Sequence, residues 1–297
     1  MPQIHPTAVV EPGANIASDV VVGPFCYVGP QVSLGKGCVL HHHASIEGHT
    51  TVGEKNEFYP GCVIGGMPQD LKYRGGDCRA IIGSRNVFRE CCTLHIGTED
   101  GGGLTRVGND NLFMIGAHIA HDCDIRNHTI FANNVLLAGH VVVEDFVVLS
   151  GAAAVTHFVT IGQHAFIGGL SAVQKDVPPY MIANGHPAAI RGVNRNGLKR
   201  RDFAEEQLEA LKTAYKLLFS DTTPTTTQAV ELRRLYPHSA EIATILEFLE
   251  NMAKGKFGRY RESLRGKAER SDEERAEDQK PEVRESPSEE RDDLNGK

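Results

Sequence analysis

Ala117-His118-Ile119-Ala120-His121-Asp122 sets two imidazoles three residues apart with a carboxylate directly behind the second. His140 follows Gly139, nineteen residues after His121, and His157 comes later still. With a reference pKa of about 6.5, an imidazole is neutral yet basic near pH 7, which suits a general base. Asp122 beside it can orient the ring and balance the imidazolium. On spacing alone the same residues also suit solvent-facing turns of a repetitive scaffold. His41, His42 and His43 fall in the turn half of one repeat unit and read as surface residues rather than ligands.

For His121 and His140 to meet, the chain must bring residues about nineteen apart side by side, and its periodicity does so. From Ile4, every sixth residue is apolar through Val10, Ile16, Val22, Val28, Leu34, Leu40, Ile46, Val52, Phe58 and Ile64. The register returns at Ile82, Phe88 and Leu94, then runs through twelve positions from Val107 to Val173. At 40% apolar content, chance produces that last run about 2 times in 100,000. A period of six is the hexapeptide signature of a parallel β-helix. The repeat resembles that of the hexapeptide acyltransferases, in which three hexapeptides make one triangular coil, so some 26 units stacked at about 4.8 Å imply between eight and nine coils, roughly 40 Å tall. Residues eighteen apart then superimpose on adjacent coils, so His121 and His140 share one edge. Positions four after each anchor are small or β-branched and include Cys26, Cys38, Cys62, Cys92 and Cys123, which are expected inside as small hydrophobes. Glycine follows many anchors, Gly23, Gly35, Gly53 and Gly83 among them, where a tight corner is expected to need its backbone freedom.

Two excursions break the register, 65–81 and 95–106, and long loops on rigid scaffolds tend to carry sites. Pro178-Pro179 ends the repeat, since proline lacks the N–H that a ladder strand donates. Asp202 with Glu205 reads as a capping box before an amphipathic helix, and two more helices are expected at about 227–236 and 239–254. The predicted organisation is a β-helix over 1–190, a small helical domain over 191–258 and a charged, solvated tail over 259–297. That tail has 13 acidic and 10 basic residues and almost nothing apolar to offset its ordering entropy. A formal charge of −7 argues against nucleic acid as a partner. No apolar run is long enough to span a membrane, and Met1-Pro2-Gln3-Ile4-His5 lacks a leader pattern, so a cytoplasmic protein without stable membrane insertion is expected. Seven cysteines, none in a CxxC pair, do not make a disulfide framework or a zinc ribbon.

Several stretches resemble the UDP-N-acetylglucosamine O-acyltransferases that begin lipid A synthesis. They are Asn111 to Cys123, Ala132-Asn133-Asn134, Leu137-Ala138-Gly139-His140-Val141, Gln69-Asp70-Leu71-Lys72-Tyr73, Gly101-Gly102-Gly103-Leu104-Thr105, Asp176-Val177-Pro178-Pro179-Tyr180, Gly192-Val193-Asn194 and Gly197-Leu198-Lys199-Arg200-Arg201. The similarity runs in order from residue 4 to about 255. It implies a left-handed coil, a homotrimer with sites between subunits, and direct transfer from a 3-hydroxyacyl acyl carrier protein. No cofactor is implied beyond the carrier's phosphopantetheine. By the same resemblance His121 is the general base, Asp122 its partner, and Gly139 the backbone donor to the oxyanion. Asp70, Lys72, His118, His140 and His157 line the sugar or acyl sites. Asn194, Arg200 and Arg201 serve the donor arm and the uridine diphosphate, and the Lys199-Arg200-Arg201 run suits an acidic carrier. Gly169 matches the position that limits acyl length, and a glycine there implies an open groove and a chain of about fourteen carbons.

The chain departs from the family at Thr156-His157-Phe158, where many members have His-Gln-Phe. It departs again at Gly66-Met67-Pro68 in the first excursion, which leaves both a 3-hydroxyl and a 3-amino acceptor sugar open. The competing readings are a γ-type carbonic anhydrase, with three histidines on zinc, another hexapeptide acyltransferase, and a non-catalytic scaffold. The pathway's N-acyltransferase carries an extra N-terminal domain, whereas here the repeat starts at Ile4.

Overall fold

The computed structural model describes residues 1–219 and 225–264. Two-residue strands recur along the chain, each ending on one of the apolar anchors, from Gln3–Ile4 to Ala172–Val173. Strands eighteen residues apart pair in parallel, as Gln3 does with Val21 and Val142 with Thr160. The result is a left-handed parallel β-helix whose three faces are sheets of eleven, nine and eight strands among the described residues. We call them the first face (beginning Gln3–Ile4), the second (Val9–Val10) and the third (Asn15–Ile16).

Hexapeptide periodicity produces this shape because each anchor points inward and stacks on its equivalent one coil away. Phe58, Phe88, Phe113 and Phe131 form such a column, with ring centroids 5.1, 4.7 and 4.9 Å apart. Burying each ring contributes about 1.5–3 kcal/mol. Beside it runs a polar ladder in which Asn86 Oδ1 accepts from the Asn111 backbone N–H (3.0 Å) and its Nδ2 (2.9 Å), so the buried amides are satisfied. The five cysteines expected inside are buried, and so is Cys78.

Glycines after the anchors have a different reason from the one expected. The left-handed corners are carried largely by other residues, including Phe25, His43, Cys91, Asn134, His140, Phe158 and Leu170, all with positive φ. A Cβ on Gly35 would instead lie 2.5 Å from the Gly53 carbonyl oxygen, and one on Gly83 2.4 Å from that of Gly108. Close approach of stacked coils is what excludes a side chain there.

Both excursions leave the second face and rejoin at the third, so they emerge from a single edge. Glu57 pairs with Val87 and Val87 with Leu112, offsets of 30 and 25 in place of eighteen. The loops also bind each other: Glu99 Oε1 accepts from the N–H of Gly76 (2.7 Å) and of Arg74 (3.2 Å).

Past Pro178-Pro179 the chain makes an antiparallel hairpin, Met181–Gly185 with Ala188–Val193, that the period change did not predict. Four helices follow among the described residues: α1 (Arg195–Lys199), α2 (Glu205–Phe219), α3 (Thr225–Leu235) and α4 (Ala240–Ala253). Asp202 is not a cap, having φ near +60°. The Gln207 side chain accepts from the Ala204 N–H instead (2.8 Å). Leu198, Leu208, Leu211, Ile242, Ile245 and Leu246 form a second core with Tyr180 and Met181. The first compact unit runs from Met1 to Ser263, so residues 259–263, assigned to the tail from sequence, stay with the folded body. The rest of that tail, from 265, lies outside the described residues.

Candidate active site

His121 and His140 stand on adjacent coils at the edge where both excursions emerge. The two rings meet edge to face, 5.2 Å between centroids, and the His140 N–H donates to the His121 carbonyl (3.0 Å). Asp122 lies beneath them, buried, in the left-handed corner conformation (φ 59°). Its Oδ2 sits 2.7 Å from His121 Nδ1 and 2.6 Å from the Thr98 hydroxyl, while Oδ1 accepts from the Thr98 N–H (2.9 Å). The Asp122 N–H donates to Thr105 Oγ1 (2.8 Å). Burial alone would raise the Asp122 pKa, but the bonds from His121 and Thr98 outweigh it and hold the carboxyl below its usual value. An ionised Asp122 can only accept, so His121 Nδ1–H donates to it, and in the neutral ring that tautomer carries the lone pair on Nε2. His140 Nε2 is 3.9 Å from the same carboxylate oxygen, and Asp70 Oδ2, from the first excursion, is 4.0 Å from His121 Nε2.

Gly139 packs closely against the base. A Cβ built there would lie 2.5 Å from His121 Cε1 and 2.8 Å from Nε2, so the ring rests directly on the glycine backbone.

A cleft of about 580 Å³ opens over this edge, lined by His118, His121, Gly139, Thr156, His157 and Gln69 among others. Its floor is the second face, where His118, Leu136, Ala154 and Ala172 stand in register on successive strands. Leu136 and Ala154 are exposed. Three strand spacings make an apolar track about 14 Å long leading away from His118.

His118 Nδ1 is 2.7 Å from Thr93 Oγ1, and burial, then the neighbouring His121, lowers its pKa. His95 packs edge to face on it, 4.9 Å between centroids. Burial, then His118 and His121, pulls His95 down to about 4, and its Nδ1 has no hydrogen-bond partner among the described residues. Spacing did not single out His95 or Thr98; the only signal was their place where the second excursion breaks the register. Lys72 is exposed in the first excursion, its N–H on Asp70 Oδ1 (2.9 Å). His157 is exposed, with Nε2 3.7 Å from Glu262.

Four expected site residues stand elsewhere. Asn194 caps α1, accepting from the Gly197 N–H (3.2 Å), and its Nδ2 donates to the His164 carbonyl (2.9 Å). Arg201 lies over the Phe146 ring, 4.1 Å from guanidinium carbon to centroid, and Arg200 is exposed at the end of α1. These three belong to the edge between the third and first faces. Gly169 is exposed at the edge between the first and second faces, where a Cβ would meet only the Gly151 carbonyl oxygen at 3.3 Å and Ser150 Cβ at 3.9 Å. The expected site residues therefore occupy all three edges of one chain.

The side chains of His121, Asp122 and His140 bring one ligand atom each within 4.8 Å of one another, a spacing that could hold a metal ion. Among the described residues no helix is long and apolar enough to cross a membrane.

A family model for UDP N-acetylglucosamine O-acyltransferase, domain 2, matches residues 176–257. LpxA from Acinetobacter baumannii is 40% identical, with a TM-score of 0.80 over 83% of this chain and 96% of that one. The UDP-N-acetylglucosamine acyltransferase LpxA from Bacteroides fragilis is 36% identical, with a TM-score of 0.82 over 84% and 97%. An Arabidopsis UDP-N-acetylglucosamine acyltransferase is 39% identical, with a TM-score of 0.73 over 82% and 94%.

Proposed function

The chain belongs to the UDP-N-acetylglucosamine O-acyltransferase family, and from that membership we propose that it moves a 3-hydroxyacyl chain from acyl carrier protein onto the 3-position of UDP-N-acetylglucosamine, the first step of lipid A biosynthesis. The observation that carries the reading is the His121–Asp122 pair at the mouth of a cleft with an apolar floor. His121 Nε2 takes the proton of the sugar hydroxyl as its oxygen attacks the thioester carbonyl. The developing oxyanion is met by the Gly139 N–H, a contribution of about 3 kcal/mol where such donors have been deleted. Collapse expels the phosphopantetheine thiolate, which recovers the proton from His121. No other cofactor takes part.

His118 and His140 stand where they can hold the sugar, Asp70 and Lys72 approach from the first excursion, and the Leu136–Ala154–Ala172 track suits the acyl chain. A bare corner at Gly169 supports a long chain, about fourteen carbons, because nothing there caps the track. Since Asn194, Arg200 and Arg201 stand on a different edge, they reach the same nucleotide sugar only from a neighbouring copy. That favours a homotrimer with sites between subunits.

The test is acyl transfer from 3-hydroxyacyl carrier proteins of ten and fourteen carbons to labelled UDP-N-acetylglucosamine and its 3-amino analogue. Wild type is expected to prefer fourteen carbons and the 3-hydroxyl acceptor, and His121→Ala to lose about 10²- to 10⁴-fold in kcat. Unchanged turnover in His121→Ala would overturn the reading. The zinc alternative rests on the His121, Asp122 and His140 cluster, but the Asp122 oxygens already accept from Thr98 and His121. One equivalent of zinc, lost to a chelator together with activity, would support that alternative; activity that survives chelation is expected.

A further inference from the structure

The matched family domain stops at residue 257, yet the chain continues as a short strap laid along the same edge as the catalytic pair. Its anchors are specific. The Asp176 N–H donates to the Gly258 carbonyl (2.8 Å), and Asp176 Oδ2 accepts from the Tyr260 N–H (2.7 Å). Arg259 donates to the Gln174 carbonyl (3.1 Å) and pairs with Glu262 (3.1 Å), both side chains being buried. From this base Glu262 comes to 3.7 Å from His157 Nε2 in the cleft wall, and the Arg261 guanidinium donates to the backbone carbonyl of His140.

We propose that residues 258–263 complete the active-site edge and that Arg261 is a positioning residue for acyl transfer, holding the Gly139–His140 corner in place. The inference rests on the reading of His121 and Gly139 given above. His140 is a left-handed corner residue (φ 64°), and its ring contacts His121 edge to face. The preceding Gly139 is the surface on which the His121 ring rests. A guanidinium fixed on the His140 carbonyl therefore constrains the ring of one histidine and the seat of the other. Burial lowers the Arg261 pKa, and the carboxylates of Asp124, Asp122 and Asp176 partly offset that cost. An arginine is held in such a place only with its donors engaged. Lysine can reach the carbonyl with a single donor but lacks the planar fork.

The experiment compares wild type, Arg261→Ala, Arg261→Lys and His121→Ala as full chains, with kcat, KM for the nucleotide sugar and thermal midpoint measured on each. Arg261→Ala is expected to lose roughly tenfold in kcat with KM within about twofold, as a loosened catalytic corner implies, and Arg261→Lys to recover most of the loss. A purely structural arginine would lower the thermal midpoint and leave kcat per folded enzyme unchanged; that result overturns the proposal. So does a loss confined to KM. If Arg261→Ala is silent while His121→Ala is inactive, the strap fails and the catalytic reading stands. If His121→Ala stays active, the catalytic reading fails first.

Discussion

Replacing Gly139 with alanine tests the catalytic geometry without touching any side chain that does chemistry. The new methyl would sit 2.5 Å from His121 Cε1, 2.8 Å from Nε2 and 3.0 Å from Nδ1. To restore an ordinary contact of 3.4 Å the ring must recede by about 0.9 Å. Its bond to Asp122, 2.7 Å in the native protein, would stretch by at most the same amount, which at that limit takes it beyond any useful hydrogen-bond distance. Hydrogen bonds to charged partners contribute about 1.5–3 kcal/mol, which corresponds to roughly 10- to 150-fold in rate. A misplacement of about 1 Å is independently associated with losses near 10²-fold. Both routes give kcat down about 10²-fold, with KM for the nucleotide sugar little changed. The backbone N–H survives the substitution, so the loss reports on His121 rather than on the oxyanion donor. Steady-state acyl transfer measures it, with a thermal melt to show that the coils remain stacked. A variant within threefold of wild-type kcat would mean that the ring does not need its seat on Gly139, and the proposed base would lose its geometric support.

Asp122→Asn should be at least as damaging: an amide NH₂ turned toward His121 reverses the ring tautomer and protonates Nε2, so a loss on the order of 10³-fold in kcat with an intact fold is expected. His95 has its folded pKa near 4, below the ordinary 6.5, so as pH falls from 6.5 to about 4 the unfolded chain takes up a proton that the folded chain refuses. Stability should therefore decline across that window, and His95→Gln should flatten the thermal midpoint against pH there; an unchanged slope would refute the shift. Mixing His121→Ala with Arg201→Ala chains, each inactive alone, should restore partial activity if the edges of different copies meet; no recovery after verified subunit exchange would argue for a site within one chain.

The β-helix itself was the most legible part of the sequence. A column such as Phe58, Phe88, Phe113 and Phe131 is legible because one physical demand, an apolar side chain pointing inward every six residues, repeats without local compromise. The same demand explains why glycine's role was misread. Gly35 and Gly83 follow anchors, which suggested left-handed corners, but the next coil's carbonyl is what crowds them. Contact between coils separated by eighteen or more residues leaves no signature in a local window. The hairpin Met181–Val193 escaped for a related reason, because Pro178-Pro179 ends one period without announcing the next.

At the site, what could be read was whatever the period indexes. His121 and His140 were placed on one edge by counting hexapeptides at the family's three to a coil, and the edge is shared. Thr98 and Arg261 could not be placed that way, since each reaches Asp122 or His140 from a segment that has left the register, at separations of 24 and 121 residues. The division has a mechanical cause. Regular coils fix the positions of backbone corners but offer only a residue or two per corner, too few groups to bind, orient and charge a substrate at once. Excursions and a terminal strap supply the missing groups, and each must converge on the edge where the coil already holds its imidazoles. That both loops and residues 258–263 arrive at this edge rather than at the other two is therefore the strongest structural argument that the chemistry happens there.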